Sequence, residues 1–263
     1  MEHAGVRHTI ALFILFFLPC LAWAQIIHIP AQTPEQGKAF SEFNHRMTGV
    51  FLMATGILAA AGLAPRKLSV LGRIWPLLFI LPGLYLAVMS DPEVWPMGAQ
   101  SWLEAFQANP EARQHKIFAI LLLALGFLEL QRSRKKLRGI LAVWSFPALA
   151  VFGAVLLFFH PHTIDETGRA MQDMPGMSHG GMGHEMHGGH QQTPPDGSGH
   201  QGHAMTETML KVQNQHFWFS IAGFAVALLK FLYDTDFWKR PFVPFLWPAA
   251  MSVLGLLLIV YTE

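Results

Sequence analysis

The chain has 263 residues, of which 52% are hydrophobic and 13% are charged, and its formal net charge is +1. This composition is too apolar for an ordinary soluble domain, and it has no basic excess of the kind that binds nucleic acid. We therefore expect the protein to lie in a lipid bilayer.

Residues 1–24 are typical of a secretory signal peptide. A basic n-region precedes a short apolar run, and residues 22–24 form an A-x-A cleavage motif. The mature chain then begins near Gln25, with an uncleaved first helix as the alternative. The single cysteine, Cys20, lies inside the signal, so a cleaved chain has no thiol for disulfides or thiolate metal sites. This is compatible with an oxidising compartment outside the cytoplasm.

Six apolar segments follow, each close to the ~20 residues that a helix needs to cross a bilayer. They lack the alternation of apolar and polar residues that barrel strands require. We predict an all-α, polytopic membrane helix bundle of about six transmembrane helices, with spans 1–4 in a membrane domain at 25–162 and spans 5 and 6 at 216–263. The predicted spans are 47–64, 74–90, 116–131, 140–159, 217–233 and 243–261.

The distribution of charged residues predicts the orientation of these spans. Lys and Arg cluster in the loops after the first, third and fifth spans, whereas Asp and Glu dominate the other loops. Basic loops stay in the cytoplasm. We therefore expect a multi-pass protein of a bacterial inner (plasma) membrane, with the acidic loops and both mature termini on the periplasmic side.

The longest connection, residues 163–215, is rich in Gly, His, Met, Pro and Gln, and we expect it to be disordered without a ligand. Methionine loses its packing value in a water-exposed, glycine-rich stretch, so packing does not explain its concentration here. A low-complexity linker without function is the alternative. The candidate ligands are Met171, Met174, Met177, His179, Met182, His184, Met186, His187 and His190, followed more sparsely by His200, His203, Met205 and Met209.

The mixture of thioether and imidazole groups predicts a specific metal. Thioether sulfur is a soft ligand that prefers Cu(I), while imidazole also accepts Cu(II), zinc and nickel. A tract of histidines alone would fit zinc or nickel, but the Met-x-x-Met-x-x-Met spacing from Met171 favours copper. We therefore predict a periplasmic loop that captures Cu(I), Cu(II) or both.

A second set of five histidines lies at the outer ends of the predicted helices. Helices that pack together would place these imidazoles at one depth, so we predict a shared metal site just below the outer surface. Ionisable groups in membrane segments are costly and indicate function. Pro161 ends its helix and holds the histidines on either side of it on an extended stretch. The five are His45, His115, His160, His162 and His216.

Outward-facing helix-end histidines and a Met/His-rich external segment together resemble the copper resistance protein D-like family of bacterial inner-membrane proteins. The resemblance covers the architecture and the stretch from Met171 to His190, which is also similar to segments of periplasmic copper resistance proteins. It implies a role in copper resistance, storage or transfer, with a periplasmic copper carrier protein as a partner. The chain has fewer predicted spans than the eight associated with that family.

Two further functions compete with copper handling. In a b-type membrane cytochrome or electron-transfer subunit, two helix-end histidines would ligate haem iron from opposite sides, which leaves the methionine-rich loop unexplained. A structural subunit of a larger assembly, with incidental histidines, is the third alternative. The sequence has no phosphate-binding loop, G-x-S-x-G elbow or H-E-x-x-H motif, so we do not expect an enzyme.

Overall fold

The computed structural model describes residues 34–63, 71–159 and 198–263, and within these ranges every regular element is an α-helix. The predicted all-α class is therefore confirmed. The predicted signal peptide and most of the predicted disordered loop lie outside the described residues. The helices are α1 (Pro34–Gly62), α2 (Leu71–Ile74), α3 (Leu77–Met89), α4 (Trp102–Ala108), α5 (Pro110–Ser133), α6 (Ile140–Phe158), α7 (Ser198–Asp234) and α8 (Val243–Ile259).

Each of the six predicted apolar segments falls on one of the six longer helices, but α1, α5 and α7 begin earlier than their segments. Helix α1 begins at Pro34, a residue that is favourable in the first turn of a helix. Helix α7 begins at Ser198, so residues 198–215, which we predicted to belong to the disordered loop, are helical. The end of that stretch contains good helix formers, and Val212 is buried against the bundle.

Two of the described helical segments are long and apolar enough to cross a membrane. They are Ile140–Phe158 and Glu207–Asp234, and Leu77–Met89 and Val243–Ile259 are apolar but shorter. These lengths and compositions are consistent with a membrane protein.

The six longer helices form a closed ring. Helix α1 packs against α3, α3 against α5, α5 against α6, α6 against α7, α7 against α8, and α8 returns to α1. We call one end of the ring the histidine end, because His45, His115 and His216 lie there, and the opposite end the charged end, where Glu129 and Lys230 lie.

Helices α1 and α8 approach each other closely through glycine. A Cβ atom added to Gly49 would meet the backbone oxygen of Gly255 at 2.6 Å, and one added to Gly56 would meet the backbone oxygen of Pro248 at 2.4 Å. Small residues allow this approach, as they commonly do between membrane helices. The close contact brings Tyr261, two residues after the end of α8, against His45 on α1.

Aromatic side chains fill the interior of the ring on the way to the charged end. The ring centroids of Trp75 and Trp247 are 5.3 Å apart, and Phe146 lies 6.0 Å from both Phe79 and Trp247. These four residues are buried and belong to the main hydrophobic core. Edge-to-face and tilted pairs of this kind each add about 1 kcal/mol beyond the burial of their area.

Candidate functional site

A cavity of about 150 Å³ lies inside the helix ring. Its histidine end is lined by Asn44, His45, Thr48, His115 and His216, and the remainder of its wall is apolar. The structure thus brings three of the five histidines predicted at helix ends to one cavity, although α1, α5 and α7 are far apart in the sequence.

His45 and His216 are in direct ring contact. Their centroids are 5.5 Å apart and their planes are nearly perpendicular, at 89°. Tyr261 stacks on His45 with a centroid distance of 4.0 Å and meets His216 edge-on at 5.6 Å. Phe219 lies against His216 from the same helix, with the centroids 5.4 Å apart. Aromatic packing therefore holds both imidazoles in fixed orientations.

The backbone determines which ring nitrogen of this pair carries the proton. His45 Nδ1 donates to the carbonyl oxygen of Ser41, and His216 Nδ1 donates to that of Val212, each at 2.9 Å and four residues earlier in its helix. A carbonyl oxygen can only accept, so Nδ1 must be protonated. In the neutral rings the lone pair is therefore on Nε2. Metal-bound histidines are typically anchored in this way.

His115 is anchored by a carboxylate. Its Nδ1 lies 2.8 Å from Asp91 Oδ1, and Lys116 Nζ lies 3.0 Å from Asp91 Oδ2. Burial opposes ionisation of Asp91, but hydrogen bonding and charge from His115, together with Lys116 and Ser90, outweigh it and lower its pKa. Burial likewise opposes protonation of His115, yet Asp91 raises the pKa of His115 above its usual value.

Lys116 links this carboxylate to the end of helix α3. The side chain is fully buried, and its Nζ donates to the carbonyl oxygens of Ala87 at 3.1 Å and Leu86 at 3.4 Å. Carbonyl groups in the last turn of a helix have no partner within the helix, and a cation satisfies them favourably. Lys116 therefore places Asp91, which follows α3, beside the first turns of α5.

The C-terminal end of α6 lies beside the same region. Gln114 Nε2 donates to the backbone oxygen of Leu156, two residues before the end of α6. His160 and His162 come shortly after that end but lie outside the described residues. So do the predicted loop ligands Met171, Met174, Met177, His179, Met182, His184, Met186, His187 and His190. The side chains of His200, His203 and Met205 are not described.

Copper binding therefore stays a prediction. Within residues 34–63, 71–159 and 198–263, no group of three or more His, Cys, Asp or Glu side chains is close enough to hold one metal ion. The pair of His45 and His216 is smaller than such a group. His115, which is paired with Asp91, lines the same cavity.

Several polar residues of this region were not predicted from the sequence. Asn44 and Asp91 are each 4% exposed, and Lys116 is fully buried. The signal in the sequence that could have identified these residues is their position, because each lies close to or at the start of a predicted apolar segment. Pairing between them depends on which helices are neighbours, and a single sequence does not give that information.

A second group of charged residues lies at the opposite end. Arg132 forms ion pairs with Glu129 at 3.4 Å and with Asp234, and Lys230 lies 2.6 Å from Asp234. Lys230 is also 3.8 Å from Glu129, and its Nζ is 5.2 Å from the ring centroid of Phe146. Glu129 is buried, and it links α5 to α7 through its contact with Lys230.

Comparisons with family models, curated proteins and solved structures found no match to this chain.

Proposed function

We propose that the protein is an integral membrane copper-handling protein whose histidine end faces the periplasm. The observation that carries this proposal is the pair of imidazoles on α1 and α7, each with Nδ1 bound to a backbone carbonyl and the lone pair of the neutral ring on Nε2. Imidazole binds both oxidation states of copper, and Cu(I) accepts as few as two ligands. His115, held by Asp91, is a candidate third ligand.

The surface of the bundle supports placement of all six longer helices in the bilayer. Large apolar side chains are exposed on most of these helices, where a soluble protein would carry polar groups. A bilayer would cover them. Examples are Val50 and Ile57 on α1, Ile120 and Phe127 on α5, Val151 and Phe152 on α6, Ile221 and Leu228 on α7, and Val253 and Leu256 on α8.

The Met/His-rich segment lies in the sequence between two helices that each reach the histidine end. It follows α6, which ends beside Gln114 and hence beside the histidine end. It then leads into α7, which carries His216. Many weak soft ligands tethered near one site raise the local concentration of the ion. We propose that this segment collects copper and that the helix-end histidines hold it, in the manner of the copper resistance protein D-like family.

A b-type haem is the second candidate, because helix-borne histidines anchored through Nδ1 also suit axial ligation. The cavity gives this function less support. Its volume of about 150 Å³ is below the ~300–1,000 Å³ typical of pockets for cofactor-sized ligands. A porphyrin would require the helices of the ring to move apart, whereas a copper ion would not.

Competitive titration with a chromophoric Cu(I) chelator tests the proposal. We expect the full chain to hold several Cu(I) ions, and a variant lacking residues 171–209 to retain one tight site. Combining that deletion with His45→Ala and His216→Ala should remove the tight site, whereas adding Gln213→Ala, on the exposed face of α7, should not. If the deletion alone removes all tight binding, the helix-end site is wrong; if the histidine variant retains it, the ligands are elsewhere.

A further inference from the structure

The wall of the cavity below the histidines is almost entirely apolar. Helices α3, α5, α6, α7 and α8 contribute Leu and Phe side chains together with small residues that leave the space open. A Cβ added to Gly153 would meet Phe118 at 3.6 Å and Leu121 at 3.8 Å, which are ordinary contacts, so the glycine is not required for packing there. A volume of about 150 Å³ with such a lining matches a single six-membered ring.

At the histidine end of the cavity, Asn44 lines the wall beside His45, Thr48, His115 and His216. Asn44 accepts a hydrogen bond from the Tyr85 hydroxyl at 2.9 Å through Oδ1, which determines the orientation of its amide. Its Nδ2 atom is buried and finds no acceptor in the part of the chain that the structure describes. Leaving a buried N–H donor without an acceptor costs folding free energy. A ligand that supplies an acceptor would recover that free energy.

The lining defines the chemistry of such a ligand. An amide N–H requires an acceptor, and a carbonyl oxygen is the simplest group that provides one without a competing donor. The apolar walls disfavour a charged molecule. We propose that the cavity binds a neutral quinone-type ring, with one ring carbonyl accepting a hydrogen bond from Asn44 Nδ2. Small quinones dissolve in lipid. This inference does not depend on copper binding.

Calorimetric titration of the metal-free protein in detergent tests this proposal, with empty micelles as the reference. The probes are 2,6-dimethyl-1,4-benzoquinone and m-xylene, which has the same methyl pattern and no carbonyl. We expect the wild type to bind both, and the quinone about fivefold to tenfold more tightly, the effect of about one net hydrogen bond. Asn44→Leu should bind the two probes equally, because the cavity remains and the donor is lost.

Two helix variants locate the site. Gly153→Leu should abolish binding of both probes by filling the cavity, whereas Val151→Leu, an exposed position on the same helix, should behave as the wild type. An unchanged quinone preference in Asn44→Leu would overturn the proposal, as would binding by Gly153→Leu. Failure of the wild type to bind either probe would also overturn it and would leave water as the partner of Asn44.

Discussion

The imidazole of His45 on α1 meets the imidazole of His216 on α7 at a centroid distance of 5.5 Å, with the two planes at 89°. Each ring donates through Nδ1 to the carbonyl four residues earlier in its own helix. In both neutral rings the proton is therefore on Nδ1 and the lone pair on Nε2. A shared ion would use this common tautomer.

Replacing Lys116 by methionine should destabilise the protein strongly. The buried lysine pairs with Asp91 and donates to the last carbonyl groups of α3, and removing one partner of a buried ion pair costs about 3–5 kcal/mol. Lys211→Met, on the exposed face of α7, is the control and should have little effect. Thermal and denaturant unfolding measure the difference, and equal stabilities of the two variants would contradict the capping role.

Neutralising the carboxylate should restore part of this loss. In the double variant Asp91→Asn with Lys116→Met, compared at pH 9 where the contribution of protonated His115 is lost, neither side chain of the Asp91–Lys116 pair carries a buried charge. We expect its free energy of unfolding to lie between those of Lys116→Met and the wild type. A double variant less stable than Lys116→Met would show that the ion pair is not the main contribution of Lys116.

The pairing of His115 with Asp91 predicts a dependence of stability on pH. The pKa of His115 is raised above its ordinary value of 6.5 in the folded protein. The contribution of His115 to stability is therefore fully present below pH 6.5, and it is lost as the pH rises through the raised pKa. Chelator-treated wild type should therefore exceed His115→Gln in melting temperature more at pH 6 than at pH 9. A difference that is constant or grows with pH would contradict this assignment.

Asp91 contributes to the stability of the protein over a different pH range. Its lowered pKa means that its contribution is present above its ordinary value of 3.8 and is lost as the pH falls below that value. Asp91→Asn should accordingly be less stable than the wild type at neutral pH, and the gap should narrow under acidic conditions. The melting temperatures of both proteins across acidic and neutral pH measure this gap.

Gly49→Ala should weaken the contact between α1 and α8. The added Cβ would lie 2.6 Å from the backbone oxygen of Gly255 and 2.8 Å from the backbone nitrogen of Ile259, and backbone atoms cannot rotate away. We expect a loss of about 1–3 kcal/mol, as for other overpacked positions. Gly153→Ala, the same change at an open helical position, should be neutral or slightly stabilising. Equal effects of the two substitutions on thermal unfolding would contradict the close contact.

Much of the helical architecture was predictable from the sequence because it depends on local composition. Each long apolar run between 47 and 261 lies on a helix, as expected for segments of that length without alternation. The sequence also places five histidines at the outer ends of predicted helices, and three of them, His45, His115 and His216, line one cavity. The prediction that the loop extends to residue 215 was wrong. The Gly, His and Pro residues of the loop indicated disorder, and this prediction gave too little weight to the helix formers near Val212.

The ion pairs could not be predicted in the same way. Asp91 contacts His115 and Lys116 across the α3–α5 interface, and Lys230 on α7 contacts Glu129 on α5. Such pairs depend on which helices are neighbours in the ring and on how they are rotated. Hydrophobic segments of similar composition carry almost no information about either property.

X-ray absorption spectroscopy of Cu(I) in the variant lacking residues 171–209 tests the central claim most directly. With the methionine-rich segment removed and one equivalent of copper added, we predict nitrogen ligands with the outer-shell scattering of imidazole and no sulfur. The same spectrum should disappear when His45→Ala and His216→Ala are added to the deletion. Sulfur ligation in the deletion variant, or an imidazole signal that survives the loss of both histidines, would contradict the account.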